Sequence, residues 1–215
     1  MSDKEVVRGR NIRIQFEAKK CIHSRGCVLS HPEVFVPNVE GEWIFPDAAS
    51  AEAVAEIAHQ CPSGAITYER LDGGAQEQPP QVNLVPLREN GPLSFHADLR
   101  IAGQAPALRA TLCRCGASAN KPYCDGSHTA AGFVASGEAA ARESTALATR
   151  NGPLTVTPAP DGPLLLSGPV EVVTGTGKTI NRTTNAAFCR CGRSARSRRR
   201  TGPARPPRCT TRSRR

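Results

Sequence analysis

The sequence predicts an α+β unit at the N-terminus, two small β-rich halves after it, and a disordered basic end. Three observations predict this. Ile12, Ile14 and Phe16 alternate with polar neighbours as a half-buried strand does, while Val54, Ile57, Ala58 and Cys61 share one face at helical spacing. A cysteine loop occurs twice, as "LCRCGASA" at 112–119 and "FCRCGRSA" at 188–195. From Arg190 to Arg215 the chain holds eleven arginines, no lysine and no acid.

Taken in order, the strand around Ile12 is followed by a short one at Trp43 and Ile44, after the turn residue Gly41. Ser50 is placed to cap a helix running to about Gln60, and "AITYER" returns as a strand. "DGGAQEQPPQ", residues 72–81, is rich in Gly, Pro and Gln without periodicity and reads as a linker. Beyond it "RENGPLSF" at 88–95 is echoed by "TRNGPLTV" at 149–156, and each echo leads into one of the two cysteine loops. The path from NGPL to CRCG is longer the second time, which predicts an insertion between the strands of the second half. The domains expected are therefore 1–71, a linker at 72–81, a first cysteine half at 82–140, an incomplete second half at 141–195, and the tail at 196–215.

Composition limits the function classes. At 215 residues with 39% hydrophobic and 4% aromatic content, the chain favours several small cores over one large one. Small cores need staples, and nine cysteines, an odd number, are available. The opening "MSDKEVVRGRNIRIQ" has no apolar run of signal-peptide length, and no stretch supplies the roughly 18 apolar residues of a membrane span. The chain is thus expected in the cytoplasm, away from membranes, where clustered cysteines serve as metal ligands or redox groups rather than disulfides. The formal net charge of +9 suggests nucleic acid, but residues 1–189 hold seventeen basic groups against nineteen acidic ones. The basicity belongs to the tail and not to a folded phosphate-binding face, which argues against nucleic acid. "TGTGKT" at 174–179 ends like a phosphate loop, but Val172 stands where the first glycine of that motif is required. His31, His59 and His96 have no partner at ligand spacing, and Trp43 reads as core.

The chemistry concentrates in "CRCGASANKPYCDGSH". Cys113, Cys115, Cys124 and His128 fall within sixteen residues. Two thiolates one residue apart reach one metal from a tight loop, while Cys124 and His128, four apart, fit the first turn of a helix after Pro122. There Asp125 and Ser127 can take up backbone N–H groups. Three cysteines and a histidine are equally a tetrahedral zinc set, so spacing alone leaves zinc and iron–sulfur open.

The full pattern, Cys-x-Cys-x2-Ser-x3-Pro-x-Cys-Asp-Gly-Ser-His with Ser118, Pro122, Asp125, Gly126 and Ser127 at its fixed positions, resembles the CDGSH iron–sulfur family, formerly described as iron-binding zinc fingers. The resemblance implies a 2Fe-2S cluster with Cys113 and Cys115 on one iron, and Cys124 and His128 on the other, nearer solvent. An imidazole in place of a thiolate removes negative charge and raises the reduction potential, and protonation can detach it. An acid-labile visible chromophore is the expected consequence.

In the N-terminal unit "KCIHSRGC" holds Cys21 and Cys27, and Cys61 precedes Pro62. Ferredoxins use Cys-x2-Cys-x2-Cys with a remote Cys-Pro, and here Ser24 replaces the middle cysteine. Residues 11–70 resemble divergent single-cluster, ferredoxin-like domains. The three cysteines suit a 3Fe-4S cluster, or a 4Fe-4S cluster if Ser24, His23 or a non-protein ligand supplies the fourth ligand. The bland reading is three buried thiols in a small core.

The leading functional reading is a non-enzymatic carrier of electrons or clusters, serving redox partner proteins or cluster acceptors. No paired acid and base surround a nucleophile. A zinc-stabilised binding module whose Arg-rich tail engages acidic partners or nucleic acid is the alternative, and a redox or iron-status sensor is a third. Single-motif members of the resembled family form dimers, which a tandem chain can imitate internally.

Laid on the first motif, the second keeps Cys189, Cys191 and Ser194, then puts Arg198 for Pro122, Arg200 for Cys124 and Ala204 for His128. Cys209 is the sole later thiol and no histidine follows His128, so Cys189 and Cys191 form an incomplete second site. The agreement stops abruptly after Ala195, as a shifted reading frame would make it.

Overall fold

The computed structural model describes residues 4–192. The tail at 196–215, Cys209 and the positions aligned with the end of the first motif lie outside the described residues. The chain divides into two compact units, Met1–Gln78 and Pro79–Arg215.

In the first unit, β1 (Lys4–Arg8), β2 (Ile12–Glu17) and β3 (Ile66–Arg70) form an antiparallel sheet in that order. Ile12 and Ile14 point into the core with almost no exposure, as their alternation predicts. The helix α2 (Ala51–Gln60) begins at Ser50, whose hydroxyl accepts the Ala53 N–H at 3.2 Å. Val54, Ile57 and Ala58 of its buried face join Ile12, Ile14, Val34, Phe35 and Ile66 in one core. The short α1 (Gly26–Ser30) carries Cys27.

The expected strand at Trp43 and Ile44 is a single bridge between Phe35 and Ile44, flanked by Val36 N–H to Trp43 and Phe45 N–H to Val34. Pro46 follows and has no N–H with which to extend the ladder. Trp43 packs edge-on against Phe16 at 4.9 Å and its indole N–H reaches Glu5. β1 carries no clear strand signal in the sequence, because its charged ends flank only the two apolar residues Val6 and Val7.

The second unit is a barrel-like sheet built twice over. β4 (Leu84–Pro86), β5 (Leu93–Ile101) and β6 (Ala107–Leu112) lead to the first cysteine loop, and β7 (Pro153–Pro158), β8 (Leu164–Val173) and β9 (Thr179–Phe188) lead to the second. Within each half the pairing is antiparallel, β4–β5–β6 and β7–β8–β9. Between halves it is parallel, β5 beside β7 and β4 beside β8. Exchanging β4 with β7, β5 with β8 and β6 with β9 reproduces every pairing, so the unit has internal pseudo-two-fold symmetry.

This symmetry corrects the register of the repeat. NGPL at 151–154 opens β7, the counterpart of β4, whereas "DGPL" at 161–164 opens β8 as NGPL at 90–93 opens β5. The expected insertion is therefore the strand pair displaced by a misplaced letter match, and the extra length resides mainly in the longer β9.

One core spans both halves, with Phe95, Leu99 and Leu112 from the first against Leu154, Leu164 and Val172 from the second. Asn83, fully buried, ties them by polar contacts. Its side-chain amide donates to the carbonyls of Gly152 (2.8 Å) and Pro169 (2.9 Å), and its Oδ1 accepts from Asp98 N–H. Among the described residues no helix is long and apolar enough to cross a membrane.

Candidate metal centres

Cys113 and Cys115 emerge at the end of β6 in a loop anchored from two sides. Cys113 N–H donates to the Pro122 carbonyl (2.8 Å), and Cys124 N–H donates to the Thr111 carbonyl (2.9 Å) around a Leu112–Tyr123 bridge. These bonds hold the second pair of ligand candidates beside the first. Ser118, almost fully buried, closes the intervening turn by donating to Tyr123 O at 2.7 Å and accepting Asn120 N–H at 3.1 Å.

The expected helix start is displaced. α3 (Ser127–Ala130) has only four residues and is preceded by Gly126 at φ 85°, so His128 is helical and Cys124 is not. A glycine there adopts the left-handed conformation without strain. Asp125 still takes up backbone N–H groups, from Ser127 (3.0 Å) on one oxygen and Ala119 (2.8 Å) on the other. The Ser127 hydroxyl, with these N–H donors, lowers the Asp125 carboxyl to about 2.

The electropositive groups at the sulfurs are single amides rather than a helix end. Gly116 N–H points to Cys113 Sγ at 3.3 Å, Ala117 N–H to Cys115 Sγ at 3.4 Å, and Gly126 N–H to Cys124 Sγ at 3.4 Å. Without metal, burial pushes the Cys124 thiol up, the Gly126 N–H opposes this, and Cys113 and Cys115 add to the rise. Burial likewise raises Cys115. Metal binding must therefore displace protons from this loop.

The donors arrive as two pairs. Cys113 Sγ and Cys115 Sγ are 3.8 Å apart, and Cys124 Sγ and His128 Nδ1 are 3.4 Å apart. Two thiolates on one tetrahedral metal at about 2.3 Å stand about 3.8 Å apart. Each pair has the spacing of two ligands on one metal. Among the described residues no three such side chains converge on a single point. The geometry fits a two-metal cluster taking one pair at each end better than a single zinc taking all four.

Arg114, between the first two cysteines, was not singled out by sequence. It is 8% exposed, donates to the carbonyls of Arg88 and Ser136 (3.1 Å each), and lies 5.8 Å over the Phe133 ring. Phe133 N–H in turn donates to His128 O at 3.0 Å, so one guanidinium braces the cysteine loop and the histidine turn together. Its signal was an arginine in the middle of both CRC loops.

In the first unit Cys21 follows a short turn, Cys27 sits in α1, and Cys61 ends α2 with its N–H on Ala58 O. Burial is the main force raising Cys21 and Cys27, and Cys61 adds to the rise of both, which places the three thiols close enough to oppose one another's charge. His23 and Ser24 are exposed on the loop between Cys21 and Cys27. His23, at φ 53°, donates its N–H to Cys21 Sγ at 3.4 Å. Cys189 and Cys191 lie at the end of β9 with their sulfurs 3.0 Å apart.

Residues 7–71 match the family model of a divergent 4Fe-4S mono-cluster, and residues 82–129 and 161–197 match that of the CDGSH-type iron-binding zinc finger. No curated protein and no solved structure matches the chain.

Proposed function

We propose that this chain, a divergent 4Fe-4S mono-cluster domain followed by two CDGSH-type iron-binding regions, carries electrons or clusters between partner proteins. Iron–sulfur binding is the property of both domain types, and the carrier role is the reading that their combination supports. Cys113, Cys115, Cys124 and His128 are assigned to the 2Fe-2S cluster. Cys21, Cys27 and Cys61, with His23 or Ser24 as fourth ligand, are assigned to the N-terminal one.

The observation that carries the reading is the division of the four donors into two metal-spaced pairs, each sulfur meeting an amide N–H. Bound clusters would supply one-electron chemistry. The chain's own part is to fix the ligands, to bury Cys113 and Cys124, and to keep His128 on a short turn near the surface. Asp125, Ser118 and Arg114 position that turn against the cysteine loop. No membrane anchoring and no nucleic-acid face enter this reading, since the arginine excess lies beyond residue 189.

The test is anaerobic purification followed by visible spectroscopy and iron, sulfide and zinc analysis. Broad visible absorbance with matching iron and sulfide supports the assignment. A colourless protein with stoichiometric zinc sinks it and leaves the zinc-stabilised binding module.

A further inference from the structure

The second cysteine loop has kept its two thiols although no Cys-Asp-Gly-x-His segment follows it in the sequence. We propose that Cys189 and Cys191 form a thiol–disulfide exchange site for small-molecule disulfides of the glutathione class, whose state reaches the first cysteine loop through the contact between Gly192 and Cys115. The second part rests on the cluster assignment above.

The two loops differ in the geometry of their sulfurs. Cys113 and Cys115 keep the 3.8 Å edge of a metal site, whereas Cys189 and Cys191 approach to 3.0 Å, about 1 Å beyond a covalent S–S bond. Cys113 is buried and Cys115 partly exposed in the first loop, whereas Cys189 and Cys191 are both partly exposed and so open to a soluble reagent. Arg190 between them is fixed by bonds to the carbonyls of Ala159 (2.6 Å) and Gly162 (2.8 Å). These bonds anchor the backbone between the two thiols and keep the pair at the surface of the loop. The Cys191 N–H donates to Cys189 Sγ at 3.4 Å and marks Cys189 as the attacking sulfur. A ring closed across one intervening residue is strained, which disqualifies it as a structural staple and makes it readily reducible.

The exchange balances without a further redox agent. The Cys189 thiolate attacks one sulfur of RS–SR, the S–S bond breaks, and RS⁻ leaves with the electron pair. The Cys191 thiolate then attacks Cys189 Sγ and expels the second RS⁻. The two protons released by the cysteines convert both leaving groups to RSH, so two protein thiols are oxidised and one disulfide is reduced.

The loop that would move is not isolated. Gly192 packs directly on the carbonyl oxygen of Cys115, and a Cβ on Gly116 would stand 2.8 Å from Arg190 O and 3.3 Å from Cys191 Cα. Drawing Cys189 and Cys191 together shifts the backbone on which Cys115 rests. Oxidation of the second pair is thereby coupled to loosening of a ligand of the first.

The test uses the full-length, cluster-loaded protein treated anaerobically with oxidised glutathione, followed by peptide mapping and visible absorbance. The expected product is a 189–191 cross-link lacking two hydrogens, with absorbance decaying several-fold faster than in untreated protein. Cys191→Ser should trap the glutathione adduct on Cys189, and Cys189→Ser with Cys191→Ser should abolish the faster decay. Persistence of both thiols while other cysteines react overturns the exchange site, and cross-linking without faster decay overturns the coupling. A lower iron content in the double variant as isolated shows that the pair ligates metal and overturns the proposal. Protein that never shows a cluster spectrum refutes the proposed function instead, while the thiol mapping still reads the exchange.

Discussion

Gly192 lies against the carbonyl oxygen of Cys115 so closely that no side chain fits between them. The glycine is at φ 67°, and its counterpart Gly116, at φ 82°, faces Arg190 and Cys191 in the same way. The two cysteine loops thus meet backbone to backbone across the pseudo-two-fold axis. Gly192→Ala should cost about 1–3 kcal/mol from the left-handed conformation alone, and should additionally displace Cys115. Gly177, at φ 91° with open space around it, is the control that shares the strain without the contact. The expected outcome is a lowered melting temperature in both variants and reduced iron at the CDGSH site only in Gly192→Ala.

Much of this arrangement was legible in the sequence, and the limit is instructive. Ser50 and the face of Val54, Ile57 and Ala58 gave α2 because a cap and a 3.6-residue period are local signals. The pairing of Cys113 with Cys115 and of Cys124 with His128 was legible because their spacing lies within one short segment. What escaped was set by non-local pairing. NGPL at 151–154 matches NGPL at 90–93 in letters, but its backbone joins β5 in parallel as β4 joins β8. Only that hydrogen bonding shows which strands correspond. Arg114 escaped for a similar reason, since its partners Arg88 and Ser136 are more than twenty residues away on either side.

The proposed assignment of His128 as a cluster ligand predicts acid lability, because a histidine ligand competes with protons for its ring nitrogen. His128→Cys should replace a neutral donor by an anionic one. The reduction potential should fall, and the pH at which visible absorbance is lost should move down. Spectroelectrochemistry and absorbance decay across a pH series measure both. An unchanged potential and threshold would show that His128 is not a ligand.

Asp125 acts differently. Its folded-state carboxyl is lowered from 3.8 to about 2, so its tie to Ser127 and Ala119 is fully present above the unfolded value and fades only as pH falls through about 2. The acid threshold of cluster loss is therefore not its own titration. Asp125→Ala should speed cluster loss at every pH without moving the threshold, and Asp125→Asn, which keeps one acceptor oxygen, should recover part of the difference. Because the side chain is largely exposed, the stability change should be about 0.5–1 kcal/mol, the size of a cap contact.

Arg114→Gln should separate bracing from charge. Glutamine is shorter and neutral, so the contacts to Arg88, Ser136 and Phe133 weaken and the positive charge carried by the residue between Cys113 and Cys115 is lost. Burial already opposes the charge of Arg114 while Glu89 supports it. Removing the cation should lower the reduction potential, whereas Arg114→Lys, which keeps the charge but cannot bridge two carbonyls in the same fork, should leave the potential nearer its original value and still shorten cluster lifetime.

The first unit offers a test of cluster nuclearity. The matched family is a 4Fe-4S mono-cluster, yet the chain places only three cysteines there, with Ser24 in the middle position of the ferredoxin spacing. A hydroxyl is a poorer iron ligand than a thiolate, so the corner it faces is the one most readily lost to oxygen. Ser24→Cys should restore the full thiolate set, raise iron per protein after air exposure, and suppress the EPR signal of an oxidised three-iron cluster. His23→Ala should increase that signal if the imidazole holds the fourth iron, and leave it unchanged if Ser24 does. Cys61→Ser should remove the cluster in either case, and α2 should persist because its cap at Ser50 and the buried Val54, Ile57 and Ala58 are untouched and serine is close to cysteine in size. Retention of full iron in Cys61→Ser would return the three thiols to the status of core side chains.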